Sequence, residues 1–193
     1  MIESAFPSYL QKEATKIADF LQQNDPKDFR TVGREDVSLN GEVLELPQRV
    51  YFGEYNTQSL TLVQEQMLNC LYLCHCNGHL REHYLRELLI VKEDFTLPFI
   101  AKLFGDYVIE IVRVLQSELP NDTRDKLRDF FRANPLYQKR VESRIASYWD
   151  LFYTNTYPNF KKYIGYQLFQ TIVKLRNLYS YGNKKHCDSV GYG

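Results

Sequence analysis

The pattern of apolar and polar positions changes from one short alternating segment to helical spacing over most of the chain. Between residues 37 and 46, apolar and polar side chains alternate on both sides of Asn40-Gly41, a pair that suits a tight type I′ turn. Folding about this turn pairs Leu39 with Glu42 and predicts a small β-hairpin that ends at Pro47. One face of the hairpin is apolar and is expected to pack on helices; it consists of Val37, Leu39, Leu44 and Leu46.

Elsewhere the apolar residues recur every three or four positions, which predicts about seven helices with short connections. The helix that begins near Leu60 is apolar nearly all round, so we expect it at the centre of the fold, ending at Asn77-Gly78. The fold class is therefore mostly α with one small β-hairpin. The predicted helices span residues 8–23, 60–76, 79–91, 107–119, 122–133, 136–153 and 158–181, with a short helix after Thr96.

The organisation along the chain indicates a single α-helical domain over residues 1–193. Its N-terminal part, residues 1–56, holds the first helix and the hairpin. Residues 57–119 form helical hairpins, and residues 120–193 form basic, aromatic-rich helices followed by a tail from residue 182 that is expected to fray.

Two stretches between residues 60 and 119 resemble the helical hairpins of HEAT-type repeats. Residues 77–88 look like the second helix of one unit, and residues 97–119 look like a complete unit. In such repeats a turn aspartate and an arginine on the second helix link neighbouring units, and the resemblance gives these parts to Asp106 and Arg113. The resemblance implies a binding scaffold without catalytic residues.

Composition places the chain among ordinary globular proteins. Of its 193 residues, 44% are hydrophobic and 25% are charged, which excludes an intrinsically disordered chain. No apolar run reaches the roughly 18 to 20 residues of a membrane span, and residues 1–7 lack the pattern of a secretory signal. We therefore expect a cytoplasmic protein that does not bind membranes.

The net charge of zero conceals an asymmetry. Residues 1–119 hold 11 basic and 18 acidic residues, a net charge of −7, whereas residues 120–193 hold 13 basic and 6 acidic residues, a net charge of +7. Basic residues such as Arg140 and Arg144 alternate with aromatic ones such as Tyr148 and Trp149, a composition that also suits nucleic-acid binding. Packing of the aromatic residues in the core remains the favoured interpretation, and the opposite charges could also face each other within the molecule or between two copies.

A group of cysteines and histidines offers one chemical alternative, because zinc prefers thiolate and imidazole ligands. Residues 79–83 also read H-x-x-E-H, which resembles the inverted zinc-peptidase motif and implies His79 and His83 as ligands and Glu82 as the base. Cysteines on an apolar helix are more often buried hydrophobic residues, and Asn77-Gly78 divides the group between two helices. We therefore assign no metal or cofactor. The group consists of Cys70, Cys74, His75, Cys76, His79 and His83.

Other catalytic patterns do not stand out in the sequence. There is no phosphate-binding Walker loop, no dinucleotide glycine fingerprint and no nucleophile elbow. The carboxylate pairs Glu35-Asp36 and Glu93-Asp94 are expected in solvated loops, and His186-Cys187 lies in the tail without an orienting third group. The sequence therefore predicts a non-catalytic interaction module that binds another protein or itself. The alternatives are a metal site or zinc hydrolase at Cys70–His83, and nucleic-acid binding by the basic C-terminal helices.

Overall fold

A computed structural model describes residues 2–174 and confirms a mostly helical fold with one small hairpin. None of the helices in this range is both long and apolar enough to cross a membrane. The elements are α1 (Gln11–Asn24), β1 (Arg30–Leu39), β2 (Glu42–Tyr51), α2 (Leu62–Tyr72), α3 (Gly78–Leu89), α4 (Leu97–Leu103), α5 (Ile109–Glu118), α6 (Asn121–Ala133), α7 (Pro135–Tyr148) and α8 (Ile164–Lys174).

The hairpin forms about the predicted turn, and its predicted apolar face is buried. Asn40 and Gly41 have φ values of 52° and 88°, as a type I′ turn requires, and Leu39 lies opposite Glu42. The prediction that Pro47 ends the hairpin was wrong, because β2 continues to Tyr51. Pro47 lies opposite Arg34, which is four residues from Ser38 on β1. The backbone groups of Ser38 point out of the hairpin, and because the direction alternates along the strand, those of the Arg34–Pro47 pair point out too. The N–H group that Pro47 lacks would therefore not have bonded the other strand.

Both outer edges of the hairpin bind helical parts of the chain. On the β1 side, the Asn134 side chain accepts a hydrogen bond from the Ser38 N–H at 2.6 Å and donates one to the Ser38 carbonyl at 2.8 Å. On the β2 side, the Val50 N–H donates to the Cys74 carbonyl, and the Cys76 N–H donates to the Val50 carbonyl. The hairpin is thereby fixed between the segment that follows α2 and the junction of α6 and α7.

Helix α2 lies in the core, as its apolar surface predicts, with Met67, Leu68 and Leu71 fully buried. It begins with a capping box in which Thr61 and Gln64 bind each other's backbone N–H groups. The prediction that Asn77-Gly78 ends this helix was wrong, since α2 ends at Tyr72. Asn77 instead caps α3, because its side chain accepts the N–H of His79.

Among the C-terminal helices, α6 packs against α4, and α8 packs against both α6 and α7. Helix α7 is shorter than predicted and continues at Trp149–Tyr153 as a π-helical turn. Such turns often occur near functional sites. The part of the predicted 158–181 helix after residue 174, the tail from residue 182, and His186 and Cys187 all lie outside the described residues.

Candidate functional site

Two cysteines of the predicted metal group are in the hydrophobic core, and the third, Cys76, is exposed. Cys70 and Cys74 are fully buried, and burial raises the pKa of the Cys70 thiol well above 9.0 and that of Cys74 in the same direction. His75 uses both ring nitrogens within the fold: Nε2 donates to the Phe52 carbonyl at 2.8 Å, and Nδ1 accepts the Asn77 N–H at 2.9 Å. Burial also lowers the pKa of His75. The two groups of residues therefore stabilise the fold as protonated thiols and as a hydrogen-bonded neutral imidazole.

The H-x-x-E-H segment does not converge on one point either. His79 and His83 are exposed on α3, and the Glu82 carboxylate pairs with Arg86 at 2.9 Å. Within residues 2–174, no three His, Cys, Asp or Glu side chains form a group that could hold a metal ion. The described geometry therefore gives no support to the zinc-hydrolase alternative.

Asp106 does link two helical segments, but its partner is Arg81 and not the expected Arg113. The Arg81 guanidinium binds both Asp106 carboxylate oxygens, at 2.8 and 2.9 Å, and its third nitrogen donates to the His75 and Cys76 carbonyls. Both side chains are buried, at 0% and 3% exposure. Burial alone would lower the pKa of Arg81, but pairing with Asp106 raises it. Arg113 is exposed and lies 3.8 Å from Glu110 on its own helix.

A cavity of about 220 Å³ opens beside this buried pair, where β2, α4 and α7 meet. It is far larger than the roughly 10 to 15 Å³ that one water molecule needs. We call it the cationic pocket. Its lining consists of Gln48 and Arg49 from β2, Lys102, Gly105 and Asp106 from α4 and the turn after it, and Arg144 and Tyr148 from α7.

Lys102 is the most deeply buried cation of the pocket lining, at 6% exposure. Among the described residues its only hydrogen-bond acceptor is the Gln48 carbonyl oxygen, 2.6 Å from Nζ. The same oxygen also accepts a hydrogen bond from Arg49 at 3.2 Å, so two cations share one neutral acceptor. Burial lowers the pKa of Lys102 from its ordinary value of 10.5, and the charges of Arg49 and Arg81 lower it further, whereas Cys74 and the Asp106 carboxylate act in the opposite direction.

The carboxylates around the pocket are too few to balance its cations. Arg144 pairs with Glu35, which is 2% exposed and also accepts a hydrogen bond from Gln48, and Asp106 is occupied by Arg81. Arg49 and Lys102 have no carboxylate of their own in residues 2–174. Four cationic side chains therefore lie around the cavity with two carboxylates, which leaves an excess of positive charge.

Gly105 allows α7 to lie close to the end of α4. A Cβ atom at Gly105 would lie 3.2 Å from the Cβ of Arg144, tighter than most real contacts. Without a side chain at residue 105, the Arg144 guanidinium reaches Glu35 along one side of the pocket. Gly105 thus determines where α7 lies along the pocket.

Three aromatic rings continue the pocket lining outward, and we call them the aromatic shelf: Tyr107, Tyr148 and Phe152. The Tyr148 ring lies 5.6 Å from the Tyr107 ring and 6.2 Å from the Phe152 ring, measured between centroids. The Arg49 guanidinium lies 5.9 Å from the centroid of Tyr107. Phe152 belongs to the π-helical turn and is 58% exposed. Cations and exposed ring surface therefore lie side by side.

Sequence reasoning found part of this site and missed its centre. Arg144 and Tyr148 belonged to the nucleic-acid alternative and do line the pocket, whereas Arg140 is exposed and Trp149 donates to the Tyr157 carbonyl. The expectation of a solvated loop at Glu35 was wrong, since this residue continues the inward face of β1.

Lys102 and Arg49 were not singled out. A signal for Lys102 was present in the sequence, because it is the one charged residue in the apolar run from Leu97 to Phe104. A charge that is surrounded by apolar residues in a helix must be buried, and a buried charge needs a partner.

No protein-family model matches this chain, and the comparisons with curated proteins and with solved structures gave no significant match.

Proposed function

We propose that this chain is a non-catalytic binding module that recognises an anionic group in the cationic pocket. The observation that carries the proposal is the position of Lys102: an ammonium at 6% exposure, beside an open cavity, with a neutral carbonyl as its only described acceptor. Burying a charge without a counter-charge is costly, and a bound anion would supply the missing partner. The same anion would lie between Lys102 and Arg49, whose charges repel each other in its absence.

The chemistry of the pocket lining favours recognition. Guanidinium groups present several N–H donors in a fixed plane and match the oxygens of carboxylate, phosphate or sulfate, whereas an ammonium acts as a point charge. Arg49 and Arg144 are of the first kind and Lys102 is of the second. The Arg81–Asp106 pair beneath them holds the turn after α4 in place.

The sequence predicts another protein or a second copy of this chain as the partner, and the pocket sets a chemical requirement for either. Another protein, or a second copy of this chain, would have to present an anionic group that enters a cavity of about 220 Å³. The net charge of −7 in residues 1–119 means that a second copy has acidic groups to offer.

A thermal unfolding series with inorganic phosphate tests the proposal. At a phosphate concentration tenfold above the dissociation constant, binding to the folded state adds about 1.4 kcal/mol of stability. We expect Tm to rise with phosphate at constant ionic strength, and the rise to disappear in Lys102→Met. Methionine has a similar volume and no charge, so this variant keeps the packing of α4.

Lys16→Met is the matched control, because Lys16 is an exposed lysine on α1 that pairs with Glu13 at the surface. It should keep the full response to phosphate. Phosphate also strengthens folding generally by exclusion from protein surfaces, so only the difference between variants counts. Equal responses of wild type, Lys102→Met and Lys16→Met would refute the anion site.

A further inference from the structure

The aromatic shelf narrows the chemistry of the anion. Tyr148 lines the cationic pocket and also stacks against Phe152, with an interplanar angle of 29°. Phe152 nevertheless leaves more than half of its surface exposed to solvent. A large ring that contacts Tyr107, Tyr148 and Tyr153 and still exposes 58% of its surface to solvent is an available stacking surface.

A stacking surface beside a cationic pocket is the combination by which proteins hold nucleotides, because every base has a π-face and every nucleotide has a phosphate. The contribution of one base stacked on an aromatic side chain is about 1 to 3 kcal/mol, or roughly a 5- to 150-fold gain in affinity. A ligand with an anionic group alone would leave Phe152 unused.

We infer that the ligand of this pocket is a phosphate ester of a nucleoside, with its phosphate among Lys102, Arg49 and Arg144 and its base on Tyr148 and Phe152. This inference rests on the proposed anion site and adds the chemical class of the ligand. A free nucleotide and the phosphorylated end of a nucleic-acid strand share this chemistry. The π-helical turn has a defined part in the arrangement, since it places Phe152 where it stacks on Tyr148.

Calorimetric titration with three small probes separates the contributions of the phosphate and the base. The probes are inorganic phosphate, ribose 5-phosphate and adenosine 5′-monophosphate. We expect adenosine monophosphate to bind about tenfold more tightly than ribose 5-phosphate. Phe152→Ala should abolish this tenfold advantage, so that adenosine monophosphate binds no more tightly than ribose 5-phosphate.

Leu151→Ala is the matched control, because Leu151 is its neighbour in the π-helical turn, is 68% exposed, and takes no part in the ring stacking. It should keep the preference for adenosine monophosphate. Lys102→Met should bind none of the three probes, which would show that the base and the phosphate bind at the same site.

The possible failures are distinguishable. If phosphate binds and depends on Lys102, but adenosine monophosphate binds no better than ribose 5-phosphate, the anion site stands and the nucleotide inference is overturned. A phosphoserine peptide that binds as tightly as adenosine monophosphate would overturn it too. If no probe binds, both proposals fail.

A single-stranded hexathymidine with and without a 5′-phosphate distinguishes the two sources of the ligand. Tighter, salt-sensitive binding of the phosphorylated strand than of adenosine monophosphate would assign the pocket to a strand end. The reverse order would assign it to a free nucleotide.

Discussion

Two buried cations in this protein differ in their partners. Arg81 and Lys102 are both almost completely buried, but in residues 2–174 only Arg81 forms a salt bridge with Asp106. Arg81 binds both oxygens of Asp106 and two backbone carbonyls, so each nitrogen of its guanidinium has an acceptor. Lys102 has one neutral acceptor and faces a cavity.

The comparison shows that burial of a charge does not by itself indicate function. A buried charge with matched partners holds two segments together, as Arg81 does between α3 and the turn after α4. A buried charge whose hydrogen-bond acceptor is a neutral carbonyl, and which borders open volume, is arranged for a ligand. Substitution at the Arg81–Asp106 pair should therefore lower the free energy of unfolding, whereas substitution of Lys102 should not.

The largest effect is expected at the matched pair. Asp106→Ala leaves Arg81 charged and unpaired in the core, and removal of one partner from a buried pair typically costs about 3 to 5 kcal/mol. Urea unfolding followed by circular dichroism measures the loss, with the exposed residue change Asp150→Ala as control. A loss in unfolding free energy below about 1 kcal/mol would mean that water reaches Arg81 and that the pair is accessible to solvent.

The pH dependence of Lys102 should be the next largest effect. Its folded pKa is lowered below 10.5, so between that pKa and 10.5 the unfolded chain binds more protons than the folded one. Stability of the wild type relative to Lys102→Met should therefore rise with pH through this window, by at most about 1.4 kcal/mol per pH unit.

The measurement is urea unfolding of both variants from pH 6 to 10.5 in a buffer without phosphate or sulfate. Taking the difference between them removes the titration of the other lysines and tyrosines. A difference that falls with rising pH would show that a counter-charge already stabilises the ammonium.

At neutral pH, Lys102→Met should cost nothing. Lys102→Met removes a buried charge that forms no salt bridge in residues 2–174, and this gain offsets the loss of the hydrogen bond to the Gln48 carbonyl. That carbonyl keeps the hydrogen bond from Arg49. We expect an unchanged or slightly raised unfolding free energy, by up to about 1 kcal/mol. A loss of 2 kcal/mol or more in unfolding free energy would show that Lys102 stabilises the fold as Arg81 does, and would refute the difference between the two cations.

The smallest effect is expected at Arg113, the residue that the sequence had paired with Asp106. Its exposed contact with Glu110 is of the kind that contributes about 0.2 to 0.5 kcal/mol. Arg113→Met should therefore change the urea midpoint by less than about a fifth of the effect of Asp106→Ala. Comparable losses in the two variants would restore the Asp106–Arg113 pairing.

The sequence predicted best what depends on neighbouring residues. Asn40-Gly41 and the alternation around it are local signals, and the predicted pairing and buried face of the hairpin were correct. The helix predicted at residues 107–119 was also correct, since α5 spans Ile109–Glu118.

The partners of charged residues could not be predicted in this way. Asp106 lies 25 residues from Arg81 and 7 from Arg113, and only the packing of α3 against α5 decides between them. The pocket has the same origin, because Arg49, Lys102 and Arg144 come from three elements that meet only in the folded chain.

The bonds between Asn134 and Ser38 have a consequence for self-assembly. Free N–H and carbonyl groups along the edge of a strand recruit strands of other molecules, and long exposed edges promote aggregation. At Ser38 both edge groups are bound by one amide side chain from 96 residues away, and at Val50 both are bound by the segment after α2. The hairpin is closed at these two positions to strand addition, so growth of an intermolecular sheet cannot start there while the helices remain folded.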